Sequence, residues 1–112
     1  DPTVESAAEA CRELLSRPDR PTAIFGTDDV VAAGAMKAAR RLGLRLPEEL
    51  AVTGLDDASV CGMLEPELTS VHIDCRRMGE LSVARLQALL AGETDVPQVT
   101  VVPTELRVRG SS

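Results

Sequence analysis

A chain of 112 residues holds at most one ordinary domain and buries a modest core. Hydrophobic residues make up 44% and charged residues 27%, the balance of a soluble globular protein. The net charge of −6 makes this polypeptide alone a poor candidate for DNA binding, since the longest basic clusters, Arg40-Arg41 and Arg76-Arg77, are diluted by acidic or apolar neighbours. No apolar run is long enough to span a bilayer, and the opening DPTVESAAEACRELL is acidic and helical rather than signal-like. No membrane partner is therefore expected.

The first helix is predicted from Thr3, as N-cap, through Ala10 to Leu14 and Leu15, with Glu5 favourable near its dipole. Pro18-Asp19-Arg20-Pro21 stops it, and Thr22 to Gly26 reads as a short buried strand. An Ala-rich helix follows over 30–42, with Gly43 at its C′ position. Pro47-Glu48-Glu49 turns into a strand over 50–53, and a short helix is expected through Val60 to Leu64, ahead of Pro66. Ser70 to Ile73 is the next strand, and Asp74 caps a helix over 75–91. Its Met78, Leu81, Val83, Leu86, Leu89 and Leu90 give a broad apolar face. After Gly92, Val99–Val102 and Glu105–Val108 read as closing extended segments. Strands alternating with helices predict an α/β fold with a mostly parallel sheet flanked by helices.

Two strand ends carry paired acids, Asp28-Asp29 and Asp56-Asp57, each just before a helix. In an open parallel sheet the carboxyl ends of the strands face a shared crevice where ligands bind. Asp is also a preferred helix N-cap, a role that stabilises by about 1 kcal/mol, and Asp29 and Asp57 are the members expected to cap. A carboxylate left facing a crevice accepts hydrogen bonds from ligand hydroxyls or amines, binds a metal, or acts as acid or base. Polyol recognition suits it, because one ionised group accepts from two adjacent hydroxyls. Paired-carboxylate catalysis stays open on the residues, but no Ser-His-Asp set, P-loop or Gly-rich phosphate loop supports an enzyme.

Three separated cysteines, Cys11, Cys61 and Cys75, lack any C-x-x-C pair. They argue against a disulfide framework or zinc knuckle and for a reducing, cytoplasmic setting. With Phe25 and His72 the lone aromatic and histidine, neither a stacking platform nor a multi-histidine metal site is available, and no cofactor is expected.

The run PTAIFGTDDVVAAGAMKAARRLGLRLPEELAVTGLDD, then PELTSV, then PTELRVRGSS, closely resembles the lactose-repressor (LacI/GalR) family of transcriptional regulators. The likeness is to the carboxyl-terminal part of the effector domain, which has the type I periplasmic-binding-protein fold. It implies a division of the chain: residues 1–74 and 99–109 in the carboxyl-terminal lobe, and the helix 75–92 in the other lobe. It further implies a sugar-like small-molecule effector contacted by Asp28, Asp56 and Cys75, with Asp57 capping the short helix that follows. Asp28 stands where the family pattern has Asn, and Cys75 where it often has an aromatic ring, so packing is the alternative role for Cys75. A dimer contact is implied at Ala33, Met36, Met63 and Leu64, with core packing the alternative. DNA would be read only by an amino-terminal helix-turn-helix absent from this sequence. The apolar face of helix 75–91 is expected to dock on another copy or swap between chains, giving a homodimer or swapped oligomer. The same fold also serves sugar-binding receptors of transport systems, which is the alternative function.

Overall fold

The computed structural model describes residues 2–112, which form two units. The larger comprises residues up to His72 together with Glu105–Ser112, and the smaller Ile73–Thr104. In the larger unit the order is α1 (Val4–Leu15), β1 (Ala23–Phe25), α2 (Asp29–Arg41), β2 (Ala51–Asp56), a 3-10 turn (Ser59–Met63), β3 (Thr69–His72) and β4 (Glu105–Arg107). The sheet order is β1-β2-β3-β4, parallel except for antiparallel β4, which agrees with the mostly parallel α/β expectation. The smaller unit holds α3 (Cys75–Leu90).

Local chemistry sets the helix ends. Thr3 and Ser6 form a reciprocal capping box, satisfying amino-terminal N–H groups that would otherwise lack partners. Gly43 and Gly92 follow α2 and α3 at φ +73° and +81°, left-handed geometry that glycine adopts without a Cβ clash.

The core lies between the two helices and the sheet. Ala8, Cys11 and Leu15 of α1 meet Ala32, Ala35, Met36 and Ala39 of α2, over Leu50, Val52, Cys61 and Leu68. Full burial of Leu50, Leu68 or Val52 stabilises by roughly 1.5–3 kcal/mol each. The alanines and Gly34 let α1 and α2 approach closely, for a Cβ on Gly34 would lie 2.5 Å from Ala7 Cβ and 2.9 Å from the Val4 carbonyl. Glu5 then reaches Lys37 and Arg41 across the helix pair at 2.6 and 2.7 Å. The carboxyl-terminal tail closes the unit: buried Ser111 accepts from Thr69 N–H at 2.9 Å and donates to the Val52 carbonyl at 2.6 Å.

Several expectations shift. The strand over 22–26 is shorter and exposed at both ends rather than buried, because β1 is the edge of the described sheet. The strand over 50–53 extends to Asp56, since the ladder to β3 runs on past Gly54 to the pair Asp56–His72. Val99–Val102 forms no strand, whereas 105–107 finds an edge on β3 and pairs there. In the smaller unit α3 has no buried residue, so the predicted apolar face, with Met78, Val83, Leu86, Leu89 and Leu90, is exposed. Within that unit Arg85 donates to the Gln98 carbonyl at 2.7 Å, fastening the segment after the helix.

Gly34→Ala should lower stability by about 1–3 kcal/mol, because backbone of α1 must move. Alanine is the better helix former by about 1 kcal/mol, so an unchanged urea midpoint would mean that the helices are not in close contact here.

Candidate functional site

The carboxyl edge of the larger unit's sheet is where β1, β2 and β3 release their chains, and both acid pairs are found there. β1 and β2 are adjacent and parallel, with Gly26 N–H bonded to the Thr53 carbonyl at 2.8 Å, so the loops carrying Asp28 and Asp56 leave neighbouring strands on one side.

Within each pair the observed roles depart from the expected ones. Asp28, expected in the crevice, is the N-cap of α2: its Oδ1 accepts from Val31 N–H at 2.7 Å. Its second oxygen has no protein donor among the described residues. Asp29, expected as the cap, is buried, accepting from Ser70 Oγ at 2.6 Å and from Ala58 N–H at 2.7 Å. The helix starts one residue earlier than predicted, and that offset exchanges the two side chains. The inward path for Asp29 exists because residue 54 is glycine: a Cβ there would overlap Asp29 Oδ1.

Asp57 does not cap the 3-10 turn, whose N-cap is Ala58 with no side-chain cap bond. Its carboxylate, only 4% exposed, is instead gripped by Arg109 at 2.6 Å and Arg107 at 2.8 Å, with His72 Nδ1 at 3.2 Å. Arg109 also donates to the Leu68 carbonyl at 2.7 Å. Burial pushes the Asp57 carboxyl up, but the hydrogen bond and charge of Arg109, joined by Arg107 and His72, outweigh it and hold the group below its ordinary range. Arg109 is correspondingly held more firmly protonated, chiefly by its hydrogen bond to Asp57.

Asp56 ends β2 exposed, and no group donates to its carboxylate among the described residues. Its φ is +104° and that of Asp57 is +56°, two consecutive non-glycine residues on the strained side of backbone space. An exposed carboxylate with free lone pairs is equipped to accept hydrogen bonds from a ligand.

Cys75 opens α3 in the smaller unit, exposed, next to Asp74, which accepts from Arg77 N–H at 2.8 Å. Cys11 and Cys61 are buried free thiols. Burial, then the proximity of Asp29, pushes the Cys61 thiol up to about 11, which suits a packing role. Among the described residues no group of three or more His, Cys, Asp or Glu side chains could hold a metal ion, and no helix is long and apolar enough to cross a membrane.

Ala33, Met36, Met63 and Leu64 come together in one open groove of about 990 Å³, between α2 and the loop following the 3-10 turn. Ala33 and Met36 form its floor at 2% and 4% exposure, whereas Met63 stands out at 78%. Lys37, Arg40 and Arg41 also line the groove.

Arg107, Arg109, Ser70 and Asp29 were not among the expected site residues. No local signal marks Arg109, which is 52 positions from Asp57. Gly54 is a usable clue, because glycine inside a strand often marks a close approach of another group.

An open, mostly parallel sheet with flanking helices, and a free carboxylate at its carboxyl edge, defines an α/β lobe. All of residues 1–112 match the periplasmic binding protein-like domain, and the chain belongs to that family. It is 38% identical over 111 residues to the HTH-type transcriptional regulator CelR of Thermobifida fusca, and 35% over 111 residues to the HTH-type transcriptional repressor PurR of Yersinia pestis bv. Antiqua. Each alignment covers 99% of this chain but 33% of the relative, so the chain spans about a third of their length. Among solved structures, a CelR–cellobiose complex superposes with TM-score 0.89 at 39% identity, covering 100% of this chain and 34% of that one. A LacI family regulator from Arthrobacter sp. FB24 in complex with lactose gives 0.88 at 32% identity, covering 100% and 43%. The resemblance to lactose-repressor-type regulators read from the sequence is thus borne out, as is the fold class.

The Asp57 carboxyl binds a proton more readily in the unfolded chain, so it stabilises the fold above the ordinary carboxylate range and loses that contribution as pH falls through its folded value. Asp57→Asn should cost about 1–3 kcal/mol at neutral pH, the worth of charged hydrogen bonds removed from a buried site. In urea denaturation the gap between wild type and variant should close below about pH 4. A gap independent of pH would contradict the assignment.

Proposed function

We propose that the chain is the effector-binding and dimerisation portion of a LacI-type DNA-binding transcriptional regulator, in which it senses a small polyhydroxyl molecule such as a sugar. The observation that carries this reading is Asp56: an exposed, unpartnered carboxylate at the carboxyl end of β2, in a chain whose relatives include regulators solved with cellobiose and with lactose. Asp56 accepts from adjacent ligand hydroxyls in charge-assisted bonds. Asp28 contributes its second oxygen while the first caps α2.

The protein acts by differential binding: the effector favours one arrangement of the intact regulator, and that bias is passed to a DNA-reading segment outside this chain. The groove lined by Ala33, Met36, Met63 and Leu64 supports a homodimer, with the exposed Met63 as its protruding contact. The setting is the cytoplasm, consistent with free cysteines of which Cys75 is exposed. The regulator reading is favoured over a transport receptor because the relatives are HTH-type regulators. It is favoured over an enzyme because three of the four strand-end aspartates are engaged in hydrogen bonds, leaving Asp56 without a free acid–base partner in the pair beside it.

Titration calorimetry of the full-length protein with cellobiose and lactose tests this. Asp56→Ala should weaken binding about 10- to 100-fold, the worth of a charge-assisted hydrogen bond or two. Unchanged affinity would remove Asp56 from the site and the reading with it. Met63→Lys should shift the protein from dimer to monomer in sedimentation equilibrium, since Met63 is exposed within one chain. Loss of stability in place of dissociation would make it an intrachain packing residue.

A further inference from the structure

The backbone at Asp56 points to a second layer of design. At φ +104° Asp56 lies outside even the left-handed helical well that aspartate tolerates, and Asp57 at +56° lies inside it. Strain of this kind persists only where the surroundings over-determine the chain, and it concentrates at ligand sites.

The surroundings here are specific. On one side, the β2–β3 ladder fixes Asp56 opposite His72. On the other, the next two residues are pinned by backbone and side chain together. Asp57 N–H donates to Ser70 Oγ at 3.1 Å, and Ala58 N–H to Asp29 Oδ2 at 2.7 Å. The Asp57 carboxylate is drawn inward by Arg109 at 2.6 Å and Arg107 at 2.8 Å. Arg109 is itself anchored through the Leu68 carbonyl at 2.7 Å and through its own N–H to Thr69 Oγ1 at 2.8 Å. Between a fixed ladder and a fixed Asp57, the turn must be absorbed at Asp56.

We propose that Asp57 and Arg109 are a positioning pair that holds Asp56 in its strained backbone conformation and thereby keeps its carboxylate free at the carboxyl edge. The purpose of that positioning rests on the reading of Asp56 as an effector contact, but the clamp itself is a property of this chain. The two aspartates divide the work: Asp57 is drawn in and spent on charge pairs, and the same pull turns Asp56 out. The arrangement explains why an acid pair, rather than a single acid, ends this strand.

The test is a double-mutant cycle in the full-length protein, read by melting temperature. Glycine at 56 accepts the observed φ without strain, so Asp56→Gly should raise the melting temperature by a few degrees. In an Asp57→Asn background the backbone is released to an ordinary φ. There glycine only adds unfolded-state freedom, so the gain should vanish or reverse. Equal shifts in the two backgrounds would overturn the proposal, since uncoupled sites are additive. Should Asp57→Asn not fold, Arg109→Lys keeps the charge but shortens the bridge, and the gain must shrink there or the proposal fails.

A parallel titration with cellobiose separates the clamp from the effector reading. Binding by wild type that weakens tenfold or more in the Asp57→Asn variant supports the positioning role. Equal affinity in the two would overturn it even with coupled stabilities. If wild type binds neither cellobiose nor lactose, the sugar reading fails, and the cycle alone decides the clamp.

Discussion

The part-buried ion pair between Asp57 and Arg109 is the interaction on which the rest of this lobe depends. It joins residues 52 positions apart, and through Leu68 and Thr69 it fastens the carboxyl-terminal tail against β3. Ser111, two residues on, then satisfies Val52 and Thr69, so a single fastening serves two strands. Taking a carboxylate out of water costs several kcal/mol, which is offset only when every lone pair finds a partner. Here two guanidiniums and an imidazole nitrogen surround it. The neighbouring buried acid, Asp29, is satisfied in the same way by a hydroxyl and a backbone N–H. No buried side-chain polar atom is left without a partner among the described residues.

That economy explains the division within each acid pair. One carboxylate goes inward to tie strands, helix and tail together, and the other stays at the edge. At β1 the outer member, Asp28, also caps α2; at β2 the outer member, Asp56, has no partner and a strained backbone. Among the described strand-end aspartates, Asp56 alone has no donor on either carboxylate oxygen, and it sits at the carboxyl edge. Such a pattern suits a surface that waits for a ligand, because preorganised acceptors avoid an ordering cost when the ligand arrives.

The groove beside α2 has a different character. The small residues of α1 and α2 bring those helices close together, and Ala33 and Met36 of α2 form the floor of the groove. Met63 stands out from its rim, while Met36 is shared between the core and the groove floor. Helix α2 thus meets both features, the strand-end acids at its cap and the groove along its flank.

Much of this lobe was legible in the residues themselves. Periodicity and punctuation located every helix and all four strands to within a few residues, since Thr3, Gly43, Asp74 and Gly92 act through local backbone chemistry. The strand-end location of the acids was legible for the same reason. Which acid of each pair turns inward was not, because a one-residue offset at the start of α2 exchanges Asp28 and Asp29, and Arg109 reaches Asp57 only after the tail has folded back. Nor did the alternating pattern separate β4, which found an edge on β3, from residues 99–102, which found none. The sequence by itself determined the elements, their caps and the acids at the strand ends, because these follow from neighbours along the chain. Only the tertiary structure decided which carboxylates are buried and which is free, because that depends on partners brought in from distant positions.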